Sequence, residues 1–458
     1  MGIASDSKTA TTLSQALAQR VLEFSADAVP QAVLDEAARR VLDTLACAYG
    51  ALNEVAALAT LRAVASTGGL PECTVIGQTW RTSIGNAALA NGTLVRCLDL
   101  NDLGIGLREA GHPSDNIPVA LAMGERLNAT GREVLTAIVL GYEIYGRMPS
   151  PLRAWAATTN SAVVAAAMCG YLMKLPSERL VSAIGLSVGQ CSTLAVTREG
   201  VAGKSTANAM TTYTAIMQTL MAAEGVTGPP RALEEYSRFV YGGTDLSALA
   251  QALDGPEFLI MSAGMKAHPA IGTAQTAIEA ALSARTGLTD PMTEIEHIDV
   301  RMADVPFVRH QVDHAGELPR TREAADHSFP FLVAVTVLDG KLTLRQFENE
   351  RWVAPDVLAL IARMSVVVDA SLNQHAGIGS FPCRVIITTR DGRKLSAEVP
   401  YHPGHVKNRM GWEGVQAKFH RWTEEHLPAA QRNAIVDATV GLSRTSSIRE
   451  LMALVGAN

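Results

Sequence analysis

Residues 96–116 read RCLDLNDLGIGLREAGHPSDN, and no other stretch of the chain crowds so much potential chemistry together. Two carboxylates, Asp99 and Asp102, flank Asn101; a glycine-containing run carries Arg108; His112 follows, against a proline. Such a loop can bind and orient a small polyanion and exchange protons with it, since imidazole titrates near neutrality.

The flanking elements give the loop its position. An Ala/Leu-rich run (84–98) precedes it and an amphipathic run (117–127) follows, so the polar groups fall at helix ends. Asn116 or Ser114 is the expected N-cap of the second helix, with Pro118 in its first turn, where a missing N–H costs little. His112 is then expected just before a helix N-terminus, where backbone N–H groups and the macrodipole favour anions.

The same helical periodicity runs from about residue 13 to 285, over 30–50, 54–67, 82–95, 159–174, 177–193 and 203–224. Thr130 and Glu133 have capping-box spacing, as do Ser447 and Glu450. Near residue 290 the pattern changes: 295–302 and 364–370 are strand-like, 383–401 alternates around Asp391-Gly392 as a hairpin, and 327–340 reads as a buried helix ending at Gly340. The expected fold is mainly α with an α+β insert. A large helical domain is built from 1–268 and 407–458, and a smaller α+β lid from 269–406, with the ligand cleft between them.

Composition narrows the function. Hydrophobic residues make up 48% of the 458 but aromatics only 5%, which suits close-packed Ala-rich helices. No apolar run reaches the roughly 20 residues that span a bilayer, so no membrane association is expected. The N-terminal stretch lacks the basic and apolar regions of a secretory signal, and six scattered cysteines form no Cys-x-x-Cys pair; a cytoplasmic protein with free thiols is expected. A net charge of −6 offers no basic face for nucleic acid. No clustered ligand spacing points to a metal or iron–sulfur centre.

Eight blocks in order resemble the MmgE/PrpD family: VLDTLACAYG (41–50), NGTLVRCLDLND (91–102), GHPSDNIPVALAMGE (111–125), the Lys204 helix, EGVTGP (224–229), GMKAHPA (264–270), ADHSFPFLVAVTVLDG (325–340) and YHPGHVKNRM (401–410). The resemblance implies a homodimer that acts on a small carboxylate at the domain interface without metal or organic cofactor. It also implies a catalytic set of Asp99, His112, Lys204 and Lys266, and substrate contacts from Asn101, Asp102, Ser114, His268 and His405. Each has a plainer reading. The aspartates terminate helices, His112 is a structural hydrogen-bonder, Lys204 starts a helix in solvent, Lys266 sits on a hinge, and His268 and His405 hold loops beside Gly or Pro.

Five positions depart from the family pattern: Leu103 stands for Thr, Ala156 and Ala157 for an Asp-His pair, Phe331 for Tyr and Thr273 for His. Each lost donor would cost roughly 1–3 kcal/mol for an unpaired substrate group, so the expected substrate is smaller or less polar than methylcitrate. The expected function is a cofactor-independent lyase, dehydratase-like, on a hydroxy di- or tricarboxylate. Isomerase or epimerase chemistry, decarboxylation, and a non-catalytic carboxylate-binding role remain open alternatives.

Overall fold

The computed structural model describes residues 11–103, 111–198, 200–377 and 379–456; Arg108 lies outside them. Two hydrophobic cores organise the chain. The first is helical and draws on residues 17–265 and 415–455; the second draws on residues 270–387.

At the centre of the first core lies the Asn160–Leu172 helix (NSAVVAAAMCGYL), apolar on every side and buried along almost its whole length. The Gly131–Arg147, Ser177–Gln190 and Lys204–Glu224 helices pack around it, and Ile84–Arg96 packs on Lys204–Glu224. From the far end of the sequence, Trp412–Thr423 docks on Gln31–Gly50. Among the described residues no single helix is long and apolar enough to cross a membrane.

Capping follows local chemistry where local partners exist. Thr130 and Glu133 form the expected box at the start of Gly131–Arg147. The box expected at Ser447 and Glu450 does not form, and the helix begins instead at Arg449 after Ile448. The Ser447 hydroxyl is drawn 2.6 Å to Asn128 Oδ1, on the left-handed residue that ends the Ile117–Leu127 helix.

The second core is a four-stranded sheet in the order Met364–Asp369, Ile295–Ala303, Cys383–Thr389, Lys394–Val399, parallel in the first pair and antiparallel thereafter. Cys383, Val385, Ile387 and Thr389 alternate inward, and the Gln275–Ala284 helix covers that face with Phe329–Asp339 packed on it. Gly392, at φ 86°, supplies the left-handed turn of the hairpin. Phe331 belongs here. Its ring meets Phe347 at 5.6 Å and Trp352 at 6.5 Å in edge contacts and is fully buried. The expectation that this altered position lies in the site is therefore corrected: it faces the α+β core, and a tyrosine hydroxyl there would enter an apolar cluster.

Candidate active site

The 99–103 segment leaves the Ile84–Arg96 helix by a turn that places Asp99 at φ 49°, a left-handed conformation that a short acidic residue tolerates better than most. Distant segments braid with it. Leu103 and Gly264 exchange backbone hydrogen bonds at 3.2 and 2.8 Å, and Met265 N donates to Gly404 O at 2.9 Å. Two buried cations staple the carbonyls. Arg40 donates to Ala263 O at 2.5 Å and Gly264 O at 2.8 Å. Lys418, paired with Asp43 at 2.5 Å, donates to Leu100 O at 2.9 Å and Lys266 O at 2.8 Å. Gly404, at φ 93°, must stay bare: a Cβ there would lie 2.4 Å from Met265 O.

This braid gathers cations around Asp99. Arg96 Nη1 and Lys204 Nζ each donate to its carboxylate at 2.8 Å, and Lys266 donates both to the carboxylate and, at 2.6 Å, to its carbonyl. All four side chains are buried. Burial alone would push the Asp99 carboxyl up, but the charges of Arg96, Lys204 and Lys266 hold it well below the usual carboxylate range. Lys266 is shifted down, chiefly by burial.

His112 borders this cluster. Its Nδ1 lies 2.6 Å from Asp102 O; since a carbonyl only accepts, Nδ1 carries the proton and Nε2 keeps the lone pair. Burial, reinforced by Arg96 and Lys266, pushes its pKa well below the ordinary histidine value, which keeps the ring neutral. The His112 N–H donates to Tyr145 OH at 3.3 Å, and that hydroxyl also contacts Ala157 O at 3.3 Å. Gly111 holds the approach at φ 86°, where a Cβ would lie 1.7 Å from the same hydroxyl.

The structure gives Asp102, Asn101 and Ser114 an internal task. Asp102 accepts from Ser114 Oγ at 2.6 Å, Tyr142 OH at 2.7 Å and Ser114 N at 3.2 Å, while Asn101 Nδ2 donates to Asp115 at 2.7 Å and Ser114 Oγ at 3.1 Å. The 3-10 turn Pro113–Asn116 intervenes between His112 and the Ile117–Leu127 helix. The expected caps are corrected accordingly: Asn116 makes no side-chain cap, and Ser114 turns to Asp102, so the anion held at this helix start is the protein's own carboxylate. Asp102 and Asp115 are both raised by burial, Asp115 to about 7.

The raised Asp115 implies a pH signature. Between about pH 4 and 7 the folded chain holds a proton that the unfolded chain has released, so this group's contribution falls as pH rises through that window. Asp115→Asn, which mimics the protonated form and can still accept from Asn101, is expected to flatten the parent's decline in thermal midpoint between about pH 4 and 7. Parallel melting curves against pH check this; identical slopes would disprove it.

His268 and His405 also face protein. His268 Nε2 lies 2.6 Å from Glu279, and its backbone N–H donates to Gln275 at 3.1 Å. His405 stacks on Tyr401 at 4.9 Å and its Nδ1 accepts from Lys407 N at 3.1 Å. Among the altered family positions, Leu103 and Ala157 do lie against the site segments, whereas the Thr273 hydroxyl is buried with no hydrogen-bond partner among the described residues.

Sequence reasoning passed over two residues that the structure brings to Asp99. His327, from the turn before Phe329–Asp339, places Nε2 3.3 Å from Lys204 Nζ and 3.6 Å from Asp99, with Nδ1 hydrogen-bonded to Asp326. Asp326 is held in turn by Arg322 at 3.2 Å, which also pairs with Glu54 at 3.1 Å on the helical side. The adjacent Asp-His in ADHSFP was the available signal. Ligand atoms of Asp99, Asp326 and His327 lie within 4.8 Å of one another, a grouping of the kind that holds metals. The Asp99 carboxylate already accepts from three cations, however, so a divalent ion there would be set against Arg96, Lys204 and Lys266.

Comparison with known proteins agrees along the chain. The MmgE/PrpD N-terminal domain model matches residues 15–246 and the C-terminal domain model matches 268–442. The chain is 26% identical to a 2-methylcitrate dehydratase of Cupriavidus necator, with 90% of each chain covered. It is 25% identical to the 2-methylcitrate dehydratase of Escherichia coli K12 (88% of this chain, 89% of the relative). It is also 25% identical to cis-aconitate decarboxylase of Mus musculus (73% and 70%).

Proposed function

This chain belongs to the MmgE/PrpD family, and from that premise we propose that it is a lyase that eliminates water from a small hydroxy di- or tricarboxylate, using its own side chains as acid, base and electrostatic support. The observation that carries the reading is the convergence of cations at Asp99. Three buried cations, Arg96, Lys204 and Lys266, converge on one carboxylate, with Asp115 3.9 Å from Arg96 and Asp326 close beside Asp99. Buried cations that already gather on one carboxylate can also bind a second, that of a substrate.

The chemistry follows from that placement. Elimination starts with removal of a proton from carbon next to a carboxylate, which drives negative charge onto the carboxylate oxygens. Cations fixed in advance stabilise that charge most where water is excluded. His112, neutral with its lone pair at Nε2, is the base. Leu103 and Ala157, beside the site segments, favour a substrate with fewer polar groups than 2-methylcitrate. The mouse relative's name supports a second reading, decarboxylation, which needs the same cations and a proton donor.

Incubating the protein with citrate, 2-methylcitrate, malate and cis-aconitate in D₂O, followed by NMR, tests the proposal. The expected result is a new alkene signal from one of the hydroxy acids. Deuterium exchange with no net conversion would replace it by isomerase chemistry, and release of carbon dioxide from cis-aconitate by decarboxylation.

A further inference from the structure

We propose that His327, oriented by Asp326, is the site's second proton-transfer group: it protonates the leaving hydroxyl, while His112 removes the carbon-bound proton. This deepens the lyase reading and rests on it.

Three observations converge. First, the imidazole is oriented from behind: Nδ1 is bonded to the buried Asp326 carboxylate, which Arg322 anchors from its other oxygen at 3.2 Å. An imidazole held at one nitrogen by an anchored carboxylate presents the other in a fixed direction. Second, that other nitrogen, Nε2, points at the cation cluster, 3.3 Å from Lys204 Nζ and 3.6 Å from the Asp99 carboxylate. Third, the ring is the accessible member of the group. The His327 side chain is 32% exposed, whereas those of Asp99, Lys204 and Lys266 are exposed by 5%, 8% and 1%. A residue kept only to support Asp99 would have no need of a solvent-facing edge.

The two histidines also come from different parts of the chain. His112 follows the Ile84–Arg96 helix of the first core, and His327 precedes the Phe329–Asp339 helix of the second. Elimination from two neighbouring carbons requires a base at one and an acid at the other, and two imidazoles near one cation cluster can supply them.

The step balances as follows. His112 Nε2 takes the proton from the carbon beside the carboxylate, and the C–H electron pair is first held by that carboxylate; the pair then forms the new double bond as the C–O bond breaks, and the leaving oxygen takes the proton carried at His327 Nε2 and departs as water. His112 ends as imidazolium and His327 as neutral imidazole. Solvent at the ring's open edge returns the proton to His327, and His112 releases its own to solvent.

His327→Gln and Asp326→Asn, assayed in D₂O with whichever of the four acids the parent enzyme converts, test the assignment. Net elimination is expected to fall by about 10²-fold or more in His327→Gln, and less in Asp326→Asn. Exchange of the carbon-bound proton should stay within about threefold of the parent in both, because His112 is untouched. A role confined to holding the fold or Lys204 would lower exchange and elimination together. That parallel loss, or elimination within threefold of the parent in His327→Gln, overturns the proposal. If His327→Gln fails to fold, the same split or parallel loss is read in Asp326→Asn. A parent enzyme that neither exchanges nor converts any of the four acids instead overturns the lyase reading itself.

Discussion

Asp99→Asn is expected to destabilise the protein by about 3–5 kcal/mol, the cost of removing one partner from a buried charge group. The volume hardly changes, so the loss measures electrostatics: Arg96, Lys204 and Lys266 all remain buried and lose the anion they share. The sign with pH is opposite to that of Asp115. A carboxyl held below its ordinary value contributes stability above about pH 4 and loses it as pH falls through the depressed pKa, so the variant should lack the parent's acid-side decline from this group. Denaturant unfolding at neutral pH is the direct measurement, and a cost under about 1 kcal/mol would mean that the cations are satisfied by other groups. The double variant Asp99→Asn/Lys266→Met should lose less than the sum of the two single losses, because the second change removes one of the uncompensated charges.

His112→Ala carries the largest expected effect on activity, a fall of about 10²–10⁴-fold in turnover. The fold should survive. Among the described residues the ring hydrogen-bonds to Asp102 O, and it sits at the entry to a 3-10 turn, not in a packed helix face. The pair of measurements is turnover on the converted acid and the thermal midpoint. Activity within threefold of the parent removes His112 from the mechanism, and a large drop in midpoint would reassign it to holding the loop. Because the ring is neutral at rest, raising pH should not be needed to activate it; a limb of the pH–rate profile that rises near neutrality would report another group.

Much of the architecture was legible because it rests on interactions between neighbours in sequence. Apolar residues at helical spacing marked Gly131–Arg147 and Lys204–Glu224, the Thr130–Glu133 box marked a start, and Asp391-Gly392 marked the hairpin between Cys383–Thr389 and Lys394–Val399. The Ser447–Glu450 box met the same spacing rule and still failed, since Asn128, 319 residues away, was a better partner for the Ser447 hydroxyl. Local rules hold until a distant group competes.

By itself, the sequence determined which side chains are available for chemistry: a loop rich in carboxylates and imidazole, and two lysines in recognisable blocks. What each one does was decided by the tertiary structure. Lys204 and Lys266 need no ligand to bring them together, because both end on Asp99, 105 and 167 residues away. Asp99 and Asp102, three positions apart, part company in the same way. One is surrounded by cations and driven down; the other is raised by burial, with Ser114 and Tyr142 as its hydrogen-bond donors. His327 became visible only when its turn was placed against Lys204. The physical reason is common to all three. Charge state and hydrogen-bond partnership in a buried site depend on distance and on the exclusion of water, and in this chain the contacts that set them span up to 318 residues, as in the hold of Lys418 on Leu100.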